Sequence, residues 1–286
     1  MRFFVGKDSG PLISVIVAVF DGADTLQKCM ESVVRQTYPA KELIIIDGGS
    51  KDGTVDLLRR YHRQINYWVS EPDHGVYNAW NKGLARASGE WICFLGADDF
   101  FWDPRVLERM AARLPAIAPE IMAVYGRVML LNMQGKELGL IGEPWENVRG
   151  RFRQIMCVPH PGLMHRRTLF ERHGQFDESF RIAGDYELLL RELKTGQAFF
   201  VSDIVVAGMR QGGISSSPQN ALRSLRETRR AQQRHGQNLP GIIWLLAVTR
   251  VYGRILLWKM VGKKLAGKIL DWGRRMMGLP PYWAEN

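Results

Sequence analysis

Over its first hundred residues the chain switches repeatedly between two hydrophobic periods. A continuous apolar run, Ile13 to Phe20, ends at Asp21-Gly22 and gives way to apolar residues at helical spacing: Leu26, Met30, Val33 and Val34. An unbroken apolar run of this length reads as a strand, and the helical period after it as a helix packed on that strand. The couplet recurs. Glu42 to Asp47 reads as strand, Gly48-Gly49-Ser50-Lys51-Asp52-Gly53 as loop and Thr54 to Gln64 as helix; Asn66 to Glu71 is followed by a helix from Val76 to Ala87. A fourth strand, Trp91 to Leu95, then runs into Gly96-Ala97-Asp98-Asp99. Strands alternating with helices predict a doubly wound, mostly parallel α/β sheet with helices on both faces.

The alternation then loosens. A helix is expected after Pro104 to about Leu114, then a hairpin of Ala123 to Asn132 and Lys136 to Ile141 around Met133-Gln134-Gly135. Pro159-His160-Pro161-Gly162 interrupts the backbone before a short strand at Leu163-Met164 and a helix from Arg167 to His173. Asp185 to Lys194 reads as helix and Phe199 to Met209 as strand. Gln211-Gly212-Gly213-Ile214-Ser215-Ser216-Ser217 has loop composition, and basic helix begins at Gln219. The reading divides the chain into a body of residues 1–216, with halves of about 1–100 and 101–216, and a helical appendage of residues 217–286.

The length of 286 residues is enough for a substantial core, and 46% apolar with 24% charged residues is ordinary globular composition. A net charge of +10 points to polyanionic partners: nucleic acid, an anionic membrane face or phosphorylated small molecules. The charge is uneven. Residues 241–286 carry eight Lys or Arg against Asp271 and Glu285, a net of +6. Cys29, Cys93 and Cys157 are widely spaced, which suits free thiols in a reducing cytoplasm better than a zinc or redox pair. Met1 to Pro11 lacks the apolar segment of a secretory signal, and no apolar run approaches the ~18 residues of a spanning helix.

The candidate chemistry gathers at strand ends. Asp21, Asp47, Glu71 with Asp73, and Asp98 with Asp99 each follow a strand, and ligands of open α/β sheets collect beyond the carboxyl ends of the strands. Two adjacent carboxylates repel unless a cation neutralises them, and a hard divalent ion with oxygen ligands does so while bridging to a substrate diphosphate. A strand-end turn or helix cap is the plainer alternative for Asp98 and Asp99.

Taken together, Ile13 to Phe20, Asp47-Gly48-Gly49-Ser50-Lys51-Asp52-Gly53-Thr54, Gly75-Val76-Tyr77-Asn78-Ala79-Trp80-Asn81-Lys82-Gly83, Ala87-Ser88-Gly89-Glu90 and Ala97-Asp98-Asp99 resemble the family 2 glycosyltransferases of the GT-A fold. The likeness continues more loosely through Gly174-Gln175-Phe176-Asp177-Glu178 and Gly184-Asp185-Tyr186-Glu187-Leu188 to Gly212-Gly213, leaving the tail outside it. It implies transfer of a sugar from a nucleotide diphosphate, usually with inversion. By resemblance, Asp98 and Asp99 match the metal and diphosphate motif, with Mn2+ or Mg2+ as cofactor, and Asp47 the acid that meets the nucleobase. Asp185 matches the second acid of a Glu-Asp pair found in many similar proteins and is the candidate base, although Gly184 stands where the first acid would be. As a base it would deprotonate an acceptor hydroxyl; as an N-cap of its own helix it would also lie at a loop rim.

Further donor contacts are assigned to Phe20 and Asp21 near the nucleoside, Glu71 and Asp73 at the pocket wall, and Asn81 and Lys82 beside phosphate or ribose, with core packing, helix caps and a solvated helix face as the structural alternatives. His160, held between prolines, is a candidate for touching the acceptor or the diphosphate. Arg210, Gln211, Gly212 and Gly213 are assigned to a lid whose glycines permit closure. No GxGxxG follows the first strand, which disfavours a nicotinamide enzyme.

In the tail, Ile255, Trp258, Gly262, Leu265, Ile269, Trp272 and Met276 fall on one helical stripe, with Arg250, Arg254, Lys264, Lys268 and Arg275 on one flank and Lys259, Lys263 and Arg274 on the other. This pattern predicts an amphipathic helix on an anionic bilayer surface; a coiled coil, hence a homo-oligomer, and docking onto the body are the alternatives. The expected protein is a metal-dependent inverting enzyme at the inner face of the cell membrane. It would move a sugar, first of all from a UDP-sugar, to a polyprenyl-linked saccharide in polysaccharide or glycolipid synthesis. A non-catalytic nucleotide-sugar sensor and a basic-tailed nucleic-acid-binding protein are the competing classes; the lack of a helix-turn-helix or zinc pattern counts against the second.

Overall fold

The computed structural model describes residues 10–213, 218–278 and 283; the side chains of Pro218, Gln219 and Lys263 lie outside the description. In chain order the first half consists of β1 (Ile13–Val19), α1 (Ala23–Val34), β2 (Lys41–Asp47), α2 (Thr54–Tyr61), β3 (Tyr67–Ser70), α3 (Val76–Leu84) and β4 (Trp91–Gly96). The second half holds β5 (Phe100–Phe101), α4 (Val106–Ala111), β6 (Ala123–Leu131), β7 (Glu137–Ile141), α5 (Trp145–Phe152), β8 (Leu163–Arg166), α6 (Arg167–His173), α7 (Gly184–Leu193) and β9 (Ala198–Arg210). Two helices follow, α8 (Pro218–Arg234) and α9 (Ile242–Met276).

The strands form one sheet in the order β3-β2-β1-β4-β8-β6-β9-β5, with β7 added to β6. From β3 to β4 every pairing is parallel, as the strand–helix couplets predict. Past β4 the sheet turns mixed: β8 runs antiparallel to β4 and to β6, while β6 is parallel to β9. The parallel half owes its direction to helical crossovers, and that supply ends where α3 delivers the chain to β4. Side chains of alternate residues leave opposite faces, so one strand feeds two cores. Val15, Val17, Ile45 and Leu95 pack with Leu26, Met30 and Leu57 on one side, whereas Ile16, Ile44, Ile46 and Phe94 pack with Trp80, Leu84 and Leu188 on the other.

The structure adds one helix that the sequence reading left out, α5, whose buried Trp145, Val148 and Phe152 do sit at helical spacing. It also packs α8 on the body. The expected boundary at residue 216 falls ahead of this helix, yet Ala231 is part of the second core, and the buried Gln232 donates to the carbonyl of Gln154 at 2.7 Å.

The tail stripe is also redrawn. α9 starts at Ile242, and Gly262, at φ 76° and ψ 160°, breaks it into two limbs. Only glycine adopts that backbone without strain. Ile255 and Trp258 are half-buried, Trp258 against Trp283, so the single expected stripe does not persist. Before the break the exposed apolar side chains are Ile242, Leu245, Leu246, Tyr252, Leu256 and Met260; after it they are Leu265, Ile269, Trp272 and Met276, with exposed Lys264, Lys268 and Arg275 beside them. Among the described residues no helix is long and apolar enough to cross a membrane.

Candidate active site

Parallel register brings the ends of β1, β2 and β4 to one edge: Val19 pairs with Asp47, and Ala18 with Gly96. The loops that follow carry the predicted acids. Asp98 and Asp99 fold back over Gly96, where a Cβ would lie 2.7 Å from Asp98 Oδ1 and 3.2 Å from Asp99 Oδ2. Any larger residue at position 96 would push the carboxyl groups apart. The Gly96 amide donates to Asp99 Oδ2 at 3.3 Å.

Burial raises the proton affinity of both acids. Asp98 is lifted chiefly by desolvation, against the opposing charge of Arg210; Asp99 is driven well above the carboxylate range by its deeper burial and then by the charge of Asp98. Two acids held this way invite a cation. Arg210, whose buried Nε has no hydrogen-bond partner among the described residues, ends β9 beside them, and the chain at Gly213 passes so near that a side chain there would come within 3.2 Å of Asp98 Oδ2. Lys28 on α1, which the sequence reading overlooked, sits 3.5 Å over the Phe100 ring and is pushed below its ordinary pKa by burial and by Arg210.

The donor set is the two carboxylates, since the nearby Cys29 thiol is buried and held well above its usual pKa, and it suits a hard divalent ion. Among the described residues no three His, Cys, Asp or Glu gather in one place, so such an ion would take its remaining oxygens from phosphate and water.

Asp47 has a different position from the one expected. It is wholly buried, and its carboxylate accepts from the amides of Gly49 (3.2 Å) and Ser50 (3.0 Å), from Ser70 Oγ (2.5 Å) and from Ser50 Oγ. Four acceptances use up a carboxylate's lone pairs, so Asp47 ties the β2 and β3 loops together. Beside it, Phe20, 66% exposed, and the half-buried Asp73 reach solvent. Gly48 makes room for both: a Cβ on it would lie 2.7 Å from Asp73 Oδ2 and 3.2 Å from the Phe20 ring. Asp21, at φ 47°, accepts from the Lys51 amide at 3.0 Å and so joins the end of β1 to the same loop.

Two further residues assigned to the donor are engaged within the protein. The buried Asn81 spends its amide on the 176–178 segment, donating to Phe176 O (2.9 Å) and Glu178 Oε1 (2.8 Å) and accepting from the Phe176 amide (3.1 Å). Lys82 pairs with Glu71 at 2.8 Å and donates to Pro72 O, so the two expected phosphate and wall residues satisfy each other.

Asp185 lies in the first turn of α7, with Ala183 rather than Asp185 as the N-cap. Its Oδ1 accepts from the Tyr186 amide at 2.8 Å and the Tyr77 hydroxyl at 3.2 Å. The turn before it is held from α8: Glu227 accepts from the amides of Arg181, Ile182 and Ala183 at 2.8 to 3.2 Å. No sequence motif marked Glu227, because the contact spans more than forty residues. His160, the candidate for touching the acceptor or the diphosphate, is buried, with its ring stacked on Trp80 at 4.9 Å. Burial lowers its pKa although the charge of Asp185 works the other way. Of the expected lid, Arg210 to Gly213 are in place near Asp98, while Ile214 to Ser217 lie outside the described residues.

A family model described as glycosyl transferase family 2 matches residues 14–173. A PGL/p-HBAD biosynthesis glycosyltransferase of Mycobacterium bovis is 31% identical over 186 residues, covering 64% of this chain and 70% of that protein. An uncharacterized glycosyltransferase of Mycobacterium tuberculosis is 35% identical over 192 residues, covering 64% and 69%. Among solved structures, S. aureus TarS 1-349 aligns with a TM-score of 0.59 at 18% identity over 77% of this chain and 65% of that one, a little under two thirds of its length. The same protein in complex with UDP-GlcNAc gives 0.60 at 15% identity, covering 84% and 71%. The mannosyltransferase PcManGT from Pyrobaculum calidifontis, in complex with GDP-Man and Mn2+, gives 0.59 at 19% identity over 96% of this chain and 83% of that one. Identities this low establish the GT-A fold alone.

Proposed function

The chain belongs to glycosyl transferase family 2, and from that membership we propose that it is an inverting hexosyltransferase that moves a sugar from a nucleotide diphosphate to the hydroxyl of a lipid-linked saccharide. The observation that carries the reading is the Asp98–Asp99 pair, Asp99 buried and Asp98 half-buried, both raised in proton affinity and set beside Arg210 at the sheet edge. The pair would hold Mn2+ or Mg2+, and such an ion supplies charge against which a departing diphosphate is stabilised. Arg210 and Lys28 would face the same phosphates. Phe20 offers its exposed ring to the nucleobase, and Asp73, in place of Asp47, offers a carboxylate to a base or ribose donor.

Asp185 takes the proton of the acceptor hydroxyl. The oxygen so freed attacks the anomeric carbon as the bond to the diphosphate breaks, and one displacement inverts that centre. TarS is bound to UDP-GlcNAc and PcManGT to GDP-Man, so UDP-sugars and GDP-sugars head the donor list. A relative named for PGL/p-HBAD biosynthesis supports a glycolipid or polysaccharide setting. The two limbs of α9, with apolar side chains in solvent and lysines beside them, would rest on the anionic inner face of the membrane, with the catalytic unit ending after α8.

Hydrolysis of a panel of sugar nucleotides with Mn2+ or Mg2+ tests this without an acceptor. Turnover of one or a few donors, dependent on the ion, is expected. No turnover and no binding of any sugar nucleotide by calorimetry would overturn it.

A further inference from the structure

Tyr77 and Gly184 come from distant parts of the chain and meet as one device. The Tyr77 ring is buried in the first turn of α3, stacked on Phe176 at 5.5 Å and edge-on to Trp80 at 5.6 Å. Its hydroxyl reaches across to α7 and donates to Asp185 Oδ1. Burial, then the charge of Asp185, holds the phenol well above its usual pKa, so it stays a donor.

The ring passes directly over Gly184. A Cβ built there would meet the Tyr77 Cε2, Cζ and Cδ2 atoms at 2.7, 2.8 and 2.9 Å, closer than side chains are found to pack. The neighbouring aromatic rings leave the tyrosine little room to retreat, so a side chain at 184 and the hydroxyl contact at 185 exclude each other. Both donors to Asp185, the Tyr186 amide and the Tyr77 hydroxyl, land on Oδ1, and among the described residues Oδ2 accepts no hydrogen bond. One oxygen is anchored and the other is left for a proton.

We propose that Tyr77, admitted by Gly184, is a positioning residue that fixes the rotation of the Asp185 carboxylate so that Oδ2 faces the acceptor hydroxyl. This rests on the reading of Asp185 as the base. Pre-set orientation lowers the barrier without tightening the donor, because the contact lies on the acceptor side of the reaction.

The test measures kcat and KM for hydrolysis of the sugar nucleotide that the panel selects, with water as the nucleophile. Tyr77→Phe keeps the ring and its stacking and removes only the hydroxyl. It should lower kcat about tenfold or more, since hydrogen bonds to charged groups are the costly ones to lose, while donor KM stays within about twofold. Gly184→Ala keeps the hydroxyl but crowds the ring, and should give the same split; it reads the geometry from the other side should the tyrosine variant fold poorly. Adding Tyr77→Phe to Asp185→Asn should cost nothing further. Unchanged kcat in both single variants, or a tyrosine loss that multiplies with that of Asp185→Asn, would overturn the proposal. Full turnover by Asp185→Asn alone would instead bring down the base assignment beneath it.

Discussion

The Asp47 loop and the Asp98–Asp99 turn occupy matching places, each at the carboxyl end of a parallel strand, and each buries acid. They differ in what surrounds the oxygens. Asp47 is saturated by two amides and two hydroxyls, whereas Asp98 and Asp99 receive little from the protein and are held above their normal range by burial and by each other. A buried carboxylate saturated by the protein is part of the frame; a pair at a sheet edge whose charge the protein compensates only partly leaves room for a cation that arrives. Sequence position placed the two acids in one category, and hydrogen bonding separates them.

Exchanging each acid for its amide should sharpen that contrast. Asp99→Asn is expected to cut ion-dependent donor hydrolysis by about 10²–10³-fold, the scale of losing a group that stabilises developing charge. Its effect on stability runs the other way. An acid raised above its unfolded value favours the fold at low pH and costs stability as pH climbs through the raised value. The ion-free variant should therefore melt at or above the parent temperature at pH 7, and the gap should close toward pH 4. A lower melting temperature at pH 7 with turnover intact would erase the distinction.

Asp47→Asn should show the reverse pattern. An amide nitrogen would be set against hydroxyl and N–H donors in a sealed site, so a loss of about 2–4 kcal/mol in folding stability is expected, and turnover per folded molecule should fall far less than in Asp99→Asn. Denaturant titration beside active-fraction kinetics decides it; loss of donor affinity with stability unchanged would return Asp47 to the nucleobase.

The same contrast marks what could be read from sequence. The strand–helix couplets up to β4 were legible because hydrophobic period encodes them, whereas the paired acids stood out as neighbours at a strand end and Asp185 was reached through family resemblance. The antiparallel turn of the sheet after β4 was not, since strand direction there depends on long-range pairing such as Ile92 with His165. Nor were the partners of Asn81 and Lys82, or the Glu227 clamp, which exist only once segments ten to ninety-seven residues apart have met. In the tail the period was read correctly in kind, but one backbone angle at Gly262 redistributed which side chains reach solvent.

That redistribution gives the next test. If the faces of Ile242 to Met260 and Leu265 to Met276 rest on lipid, truncation after residue 238 should lower binding to anionic vesicles about tenfold or more and leave donor hydrolysis within about twofold, since α8 and its Glu227 are retained. Leu256→Asp and Trp272→Asp should each weaken binding, one on each limb. Salt should weaken attachment without abolishing it, because screening reaches the lysines and not the apolar contact. Equal sedimentation of intact and truncated protein would exclude the membrane role, and a salt-insensitive dimer lost on truncation would assign these faces to a second copy.

The smallest effect expected comes from a group that strains the comparison from a third side. His165 on β8 is buried, and among the described residues neither ring nitrogen has a hydrogen-bond partner, yet it lies among Phe94, Phe170 and His160 rather than at the sheet edge. If lack of satisfaction alone marked chemistry, His165 would belong to the active site. Its surroundings argue that it is a cost carried by the fold. Burial, then the neighbouring His160, drives its pKa well below the imidazole value, so the folded protein keeps it neutral while the unfolded chain takes up a proton below about pH 6.5. Stability must then fall as pH drops from 7 to 5. His165→Phe removes both the unpaired nitrogens and this linkage, and should stabilise by about 1 kcal/mol at pH 7, a shift of roughly 2–4 °C. The gain should widen at pH 5, with kcat for donor hydrolysis unchanged. Thermal melts at the two pH values check it. A loss of turnover with stability unaltered would place His165 with Asp98 and Asp99, and would show that an unsatisfied buried group marks function in this fold even away from the sheet edge.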